Sequence, residues 1–580
     1  MNMRGSLTAL VFTSFVISAA PAAEPAWITE SNRHTQILLE VNGRYTPEAA
    51  AGLGLEQYDR QVLDLKPKYD ERQEAELASA ITQLQAARAR EKDESTRQDL
   101  DILIEAAQRQ AATSALNRRL MIPYFDVGEQ VFRSFHDLLD PRVEKKRYPA
   151  ALVRIKRYAG TERGYDPITQ LARERLEERM NDASLTWPWD AEVQQDLDNA
   201  SQYVDGIRDL LKKSGLKGWQ KDFEALARTL AAHDDWVRAN VLPRARKTNQ
   251  LPPEIYADNL KNFGVNAEPR DLMQRAMFAY LQTRDELDAL ARVYAAQKGL
   301  ASSNYRDVIR ELKKHRVAGD QVLPVYNSHL AQLENILREK NIVTLPKRAA
   351  VIRLSTAAEA AASAAPHLDP PRLIGNTGEP AEFVLPLKDA KGGEMDDFDS
   401  AAIAWTITAH ECRPGHELQF AGMLERGVST ARVVYALNSA NVEGWALYAE
   451  AVMKQYLPIE GQIGSLQMRM LRAARAYLDP MLNLGLIKPD AAKRILTDEV
   501  MLSEAFAKSE IDRYTFDAPG QATSYFYGYS RLEALRIRVE LALGSKFREQ
   551  PYHDFIVGEG LLPLELLEQA VMTRFVPSQG

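Results

Sequence analysis

The chain has 580 residues, 45% of them hydrophobic and 26% charged. These values match ordinary soluble globular proteins and exclude collagen-like, low-complexity and wholly disordered chains. A formal charge of -7 supplies none of the positive field that a phosphate backbone requires, so nucleic acid is not an expected partner. The one cysteine, Cys412, precludes an intrachain disulfide.

In chain order, Arg4 is followed by the apolar run Leu7 to Ala20 and by the small-x-small pattern Ala20-Pro21-Ala22. This reads as a signal peptide over residues 1–22. The apolar run, about 14 residues, is too short for the roughly 20 that span a bilayer. No cysteine follows it, so the expectation is a periplasmic or secreted protein with no stable membrane insertion after cleavage. A helical region, residues 23–344, comes next. Apolar residues recur three and four apart across Glu48–Thr113, Gln194–Ser214, Trp219–Val241, Pro269–Gln297 and Tyr305–Glu339, the spacing of amphipathic helices. The basic clusters Lys145-Lys146-Arg147 and Arg154-Ile155-Lys156-Arg157 are interleaved with Glu144 and apolar residues and read as solvated helix faces without function. Across residues 345–395, Ala349–Leu354 and Glu382–Leu385 are short and rich in branched or aromatic residues, which predicts a small sheet at a cleft edge. Residues 396–580 return to the helical pattern.

The chemistry is concentrated at His410-Glu411-Cys412-Arg413-Pro414-Gly415-His416. A metalloprotease helix places two histidines four residues apart on one face, with a glutamate beside them as general base. Here the spacing is six, which on an ideal helix leaves the imidazoles about 120° apart and unable to share an ion. Pro414 lacks the amide that would bond the carbonyl of His410, and Gly415 admits backbone angles that other residues avoid. A bulge or local unwinding here would turn His416 back toward His410. Pro-Gly inside an apolar helix is locally costly, and such choices tend to mark function. Cys412, roughly 200° around the helix from His410, is expected to be a packed neighbour rather than a ligand.

A catalytic zinc site needs a third protein ligand and an open position. Ala431–Tyr456 reads as the next helix; Glu443 and Glu450, seven residues apart, share a face crowded with apolar side chains. Buried carboxylates are expensive unless paired or bound to metal. Glu443 is therefore the expected third ligand and Glu450 the partner that holds a ligand imidazole.

The strings HExxPGH at His410–His416 and EGWALYAE at Glu443–Glu450 resemble those of the bacterial proteins catalogued as domain-of-unknown-function family 885, regarded as zincin-like metallopeptidases. The resemblance extends to Pro519–Tyr525, to Arg536 and to Gly558–Ala570, and more weakly to Arg147–Ala150, Tyr158–Gly160 and Pro370-Pro371. It implies a mainly α, large bilobed fold with a deep groove and a small β-sheet beside the active-site helix. It also implies that His410, His416 and Glu443 bind one zinc ion, with Glu411 as base. The chain departs from the family pattern at Arg413, which would alter the charge of the cleft, and at Gly378–Phe383, which touches the substrate-binding edge strand.

The expected reaction is hydrolysis of a peptide or small amide: zinc lowers the pKa of a water toward about 7 and Glu411 takes its proton. Tyr525, with Tyr527 and Tyr529 as rivals, is the expected oxyanion donor. Arg536 is a candidate for holding a substrate carboxylate, or for a structural salt bridge. Asn376 and Thr377 are candidates for binding peptide backbone beside the second strand. Two other classes use the same residues: a non-haem iron oxidoreductase built on a His/His/Glu triad, and a peptide-binding pseudoenzyme that keeps the metal for structure.

Overall fold

The computed structural model describes residues 25–317, 319–363, 365–388 and 395–580. The expected signal peptide, residues 1–22, lies outside them. Helix accounts for 69% of the chain and strand for 3%, so the fold is mainly α with one small sheet. Among the described residues no helix is long and apolar enough to cross a membrane.

Most amphipathic segments form close to where the periodicity puts them. Helices span Asp190–Lys213, Gln220–Asn240 and Pro269–Lys298, the last ended by the left-handed Gly299 (φ 65°). Three segments are more broken than periodicity suggested. Glu48–Thr113 contains a short helix at Pro47–Gly52, then an irregular stretch, then helices at Tyr69–Arg88 and Glu94–Leu120. Tyr305–Glu339 is two helices, Tyr305–Lys314 and Val322–Lys340; between them Val317 N–H donates to Asp399 C=O at 2.7 Å, drawing the chain out of the helix. Ala431–Tyr456 begins with a π-turn at Ala431–Tyr435, and the helix starts only at Ser439, capped by the Asn438 side chain.

The basic clusters are not simply solvated. Arg147 is buried against Asp59, its Nε donating at 2.7 Å, and Arg154 is fully buried, donating to Ser134 C=O and Asp59 C=O at 2.7 Å each. Their carboxylate and carbonyl acceptors are distant in sequence, beyond the reach of a charge-pattern reading. Lys145 stays exposed.

The sheet contains β1 (Val351–Leu354), β2 (His367–Asp369) and β3 (Glu382–Leu385) in the order β1-β3-β2. β1 runs parallel to β3, with Ile352 opposite Phe383; β2 runs antiparallel to it, with Leu368 opposite Phe383. A short helix, Ala357–Ala362, crosses between β1 and β2, capped reciprocally by Thr356 and Glu359.

One large apolar cluster joins side chains of residues 38–107 to those of residues 256–575. A second gathers residues 65–230 together with Ala358. The Ala401–Glu411 helix is buried on every side from Ala402 onward, as a central rather than a surface helix must be. The Ser439–Lys454 and Thr523–Leu543 helices cross at Gly444 and Gly528, where a Cβ on Gly444 would lie 2.6 Å from Gly528 Cα. Only glycine at both positions allows that approach, and it seats Glu443 and Tyr525 beside one cavity.

Candidate functional site

The Ala401–Glu411 helix stops one residue after His410, and a new helix begins at His416. Between them the Arg413-Pro414 peptide is cis. A Cβ on Gly415 would lie 1.8 Å from the carbonyl oxygen of His410, so only glycine lets the second helix start against the end of the first. The indole Nε1–H of Trp445 donates to Pro414 C=O at 3.0 Å. The expected unwinding is thus a complete break, and it cancels the 120° offset: the His410 and His416 rings lie 4.8 Å apart, nearly perpendicular at 83°.

Glu443 completes the convergence. Its Oε2 is 3.5 Å from His410 Nε2 and 3.3 Å from His416 Nε2. Three donors each about 2.0–2.1 Å from one tetrahedral ion would stand roughly 3.3 Å from one another, so these separations fit a zinc-sized cation. Glu411 is the alternative third ligand, since its carboxylate and the two imidazoles lie within 4.8 Å of one another. Its Oε1 stands 4.0 Å from His410 Nε2, which favours Glu443 as ligand and leaves Glu411 beside the site. Glu443 Oε2, Glu411 Oε2 and His416 Nδ1 are buried without a hydrogen-bond partner. A concentration of unsatisfied polar atoms at one point requires an explanation, and a bound cation would provide one.

Electrostatics separates the two carboxylates. Burial pushes the Glu411 carboxyl up to about 8, with Glu443 adding to the shift and His416 opposing it. Burial also disfavours ionisation of Glu443, but the two imidazoles outweigh it and hold its carboxyl well below the usual range. Behind His410, Glu450 Oε1 approaches His410 Nδ1 at 2.7 Å, at an angle short of a hydrogen bond. Glu450 is further held by Arg472 at 3.1 Å and by the Thr406 hydroxyl, which donates at 2.8 Å. Glu450 thus stands between the His410 imidazole and the Arg472 guanidinium.

These groups open on a cavity of about 480 Å³ lined by Glu411, His416, Glu443, Tyr525, Gln521 and Arg513, with His367 and Leu368 of β2 on the facing wall. Of the three candidate tyrosines only Tyr525 lines it. Its ring stacks at 13° to His410, 6.1 Å between centroids, and Arg475 lies 4.4 Å over it. The Tyr527 hydroxyl accepts from Arg531 Nη1 at 2.7 Å outside this lining, and Tyr529 packs near Arg469.

Three sequence candidates stand elsewhere. Arg536 bonds Glu540 at 2.7 Å, Glu549 at 2.6 Å and the Tyr448 hydroxyl at 3.1 Å, the structural alternative for this residue. Asn376 and Thr377 are engaged structurally: Asn376 Oδ1 accepts from Gly378 N–H at 2.8 Å and from Arg348 Nη1 at 3.2 Å, and Thr377 N–H donates to Glu379 at 2.8 Å. β3 is the central strand, so the sheet edge beside the cavity belongs to β2 instead. Arg413 does not charge the cleft either. It is buried against Glu417, donating at 2.6 and 3.1 Å, against Arg348 C=O at 2.6 Å and against Glu334. Cys412 is fully buried, which pushes its thiol well above the ordinary value.

Sequence reading missed Arg472 and Arg475. The signal was available: two arginines three apart within the apolar run Met470–Leu478 are as costly as the carboxylates of the Glu443 helix.

No curated protein matches the chain. Two solved structures share its fold. A candidate lipoprotein from Colwellia psychrerythraea has a TM-score of 0.77 at 17% identity over 95% of this chain and 99% of its own. A candidate lipoprotein of unknown function from Shewanella oneidensis has a TM-score of 0.70 at 19% identity over 94% and 100%. The family model described as bacterial protein of unknown function (DUF885) matches residues 47–571, nearly the whole chain, and the protein therefore belongs to that family.

Proposed function

We propose that the protein is a zinc-dependent metallopeptidase that hydrolyses peptide or small amide bonds. The observation that carries this reading is the meeting of His410, His416 and Glu443 around one point, with the unpartnered Glu411 carboxylate beside it and a cavity in front. Zinc held by those three residues would supply Lewis acidity, acidifying a water and polarising a carbonyl. Glu411, whose Oε2 is unpartnered beside the site, takes the water proton and returns it to the leaving amine. Tyr525 donates to the oxyanion that develops on the carbonyl. Glu450, itself held by Arg472 and Thr406, stands at His410 Nδ1 and so would orient the ring with Nε2 toward Glu443, where a metal would be held. The outer edge of β2 offers backbone groups to an extended peptide. The cavity in front of these residues is, in this reading, the substrate cleft of a zincin-like oligopeptidase.

The protein acts outside the cytoplasm in this reading, supported by the Leu7–Ala20 run and by the lipoprotein descriptions of the two fold relatives. Elemental analysis of the purified protein tests the metal: one zinc per chain is expected. One iron per chain with oxygen consumption would replace this reading with an oxidoreductase.

A further inference from the structure

We propose that the protein has a second ligand site, for a single-chain anionic amphiphile, in a cavity of about 900 Å³ that shares no lining residue with the catalytic one. Its volume lies within the range of small-molecule sites. The walls come from the Val127–Leu139 and Asp190–Lys213 helices, the end of β1 and the Ala357–Ala362 helix. Phe132, Leu139, Pro141 and Leu210 give it an apolar interior. Leu354, at the end of β1, is a large hydrophobic side chain left 38% exposed, and it too faces this space. An apolar chain would cover these surfaces, with a gain of about 25 cal/mol for each Å² removed from water.

The charged groups specify the head. Every carboxylate in the lining already has a cation: Asp140 has Arg142, Asp205 has Arg208, Asp209 has Lys212, Glu359 has His136 and Arg353, and Glu382 has Arg353. Lys145 and Lys213 line the same cavity, are exposed and form no ion pair among the described residues. These two lysines are the lining's cations without an ion pair among the described residues, and the same lining carries Phe132, Leu139, Pro141 and Leu210. A carboxylate or phosphate on a hydrocarbon chain satisfies both features at once. A neutral chain leaves the lysines unused, and a small anion leaves the interior bare.

The Ala357–Ala362 helix separates the two cavities: Ala357, Ala358 and Glu359 line this one, and Ala360, Ala361 and Ala362 line the catalytic one. Ala358 is seated in a notch at Gly206, where a Cβ would stand 2.7 Å from the Ala358 methyl. The wall is thus firmly packed, and the two spaces are distinct sites.

The test uses the whole purified chain and displacement of a fluorescent fatty-acid probe by dodecanoate, dodecyl phosphate, dodecanol and acetate. Saturable one-to-one displacement is expected with both anionic chains, at least about tenfold tighter than with dodecanol, and none with acetate. The stronger of the two anions identifies the source as a free fatty acid or a lipid phosphate. Raising the salt should weaken the anionic chains alone, because both lysines face solvent. A Lys145→Ala/Lys213→Ala double variant should lose about tenfold for the anions and nothing for dodecanol; Leu354→Asp should weaken both. All three positions are exposed, so these variants keep the fold. Absence of saturable displacement, equal affinity for dodecanol, or an unchanged double variant would each overturn the proposal.

Discussion

Two buried ionic networks flank the break between Glu411 and His416, and they differ in what they leave undone. On one side Arg413, Glu417 and Glu334 close on one another and on Arg348 C=O, so the guanidinium has acceptors and Glu417 has its cation. On the other side His410, Glu411, His416 and Glu443 converge while several of their polar atoms have no partner. The two networks share one seven-residue segment and similar burial, so burial of charge alone does not mark the site. What distinguishes the open network is that unpartnered atoms of two imidazoles and two carboxylates, His410, His416, Glu411 and Glu443, gather beside one cavity.

Substitutions on the two sides should therefore fail in different ways. The largest effect is expected at Glu411→Gln, which removes the base: turnover should fall about 100- to 10,000-fold or more, while zinc content and melting temperature stay at wild-type values. Retained turnover would remove Glu411 from the chemistry. On the closed side, Arg413→Leu leaves Glu417 buried without its cation and should cost about 3–5 kcal/mol in urea unfolding. The molecules that remain folded should turn over at the wild-type rate per bound zinc; an intact stability would show that the network is not closed.

A third imidazole sharpens the contrast by pH. His329, on the Val322–Lys340 helix, stacks on Trp405 of the Ala401–Glu411 helix, 4.0 Å between ring centroids, and burial lowers its pKa to about 4. The unfolded chain protonates this histidine near 6.5, so the unfolded state binds more protons between the two values. Its contribution is complete above about 6.5 and is lost as the pH falls toward 4, a loss of about 2–3 kcal/mol. Unfolding titrations of wild type and His329→Gln should converge on acidification; parallel curves would contradict the assignment.

Smaller effects remain on the open side. Glu450→Gln keeps the shape but removes the charge that pairs with His410 Nδ1, and should weaken zinc about 10- to 100-fold in a competition titration. Cys412→Ala should leave metal content unchanged, since its thiol is buried and protonated; loss of the ion would make the cysteine a ligand.

Much of this contrast was legible before the structure. The histidine spacing and the Pro-Gly pair together pointed to a bulge or local unwinding, because an ideal helix leaves His416 turned away from His410. The apolar surroundings of Glu443 and Glu450 marked both carboxylates as partnered. β1 and β3 were legible from branched and aromatic content, whereas β2 was not: His367, Leu368 and Asp369 form a strand of three residues between Pro366 and Pro370, too short for an alternation to register. The helix breaks near Val317 and Leu437 were hidden because apolar spacing continues through them, and long-range backbone pairing makes the decision. Arg536 carries the same chemistry whether it meets a substrate or Glu540 and Glu549, and only three-dimensional neighbours decide between them. Arg413 misled for the opposite reason: its position inside the motif suggested the cleft, but its guanidinium is taken up by Glu417, Glu334 and Arg348 C=O, of which two are distant in sequence.

The central claim is that the open network holds a zinc ion that drives peptide hydrolysis. Mass-spectrometric profiling of a diverse peptide library with zinc-loaded protein tests it most directly, with and without a chelator. The account predicts new peptide termini that disappear with the chelator and return when zinc is restored. An uncleaved library, or cleavage indifferent to the chelator, would contradict it.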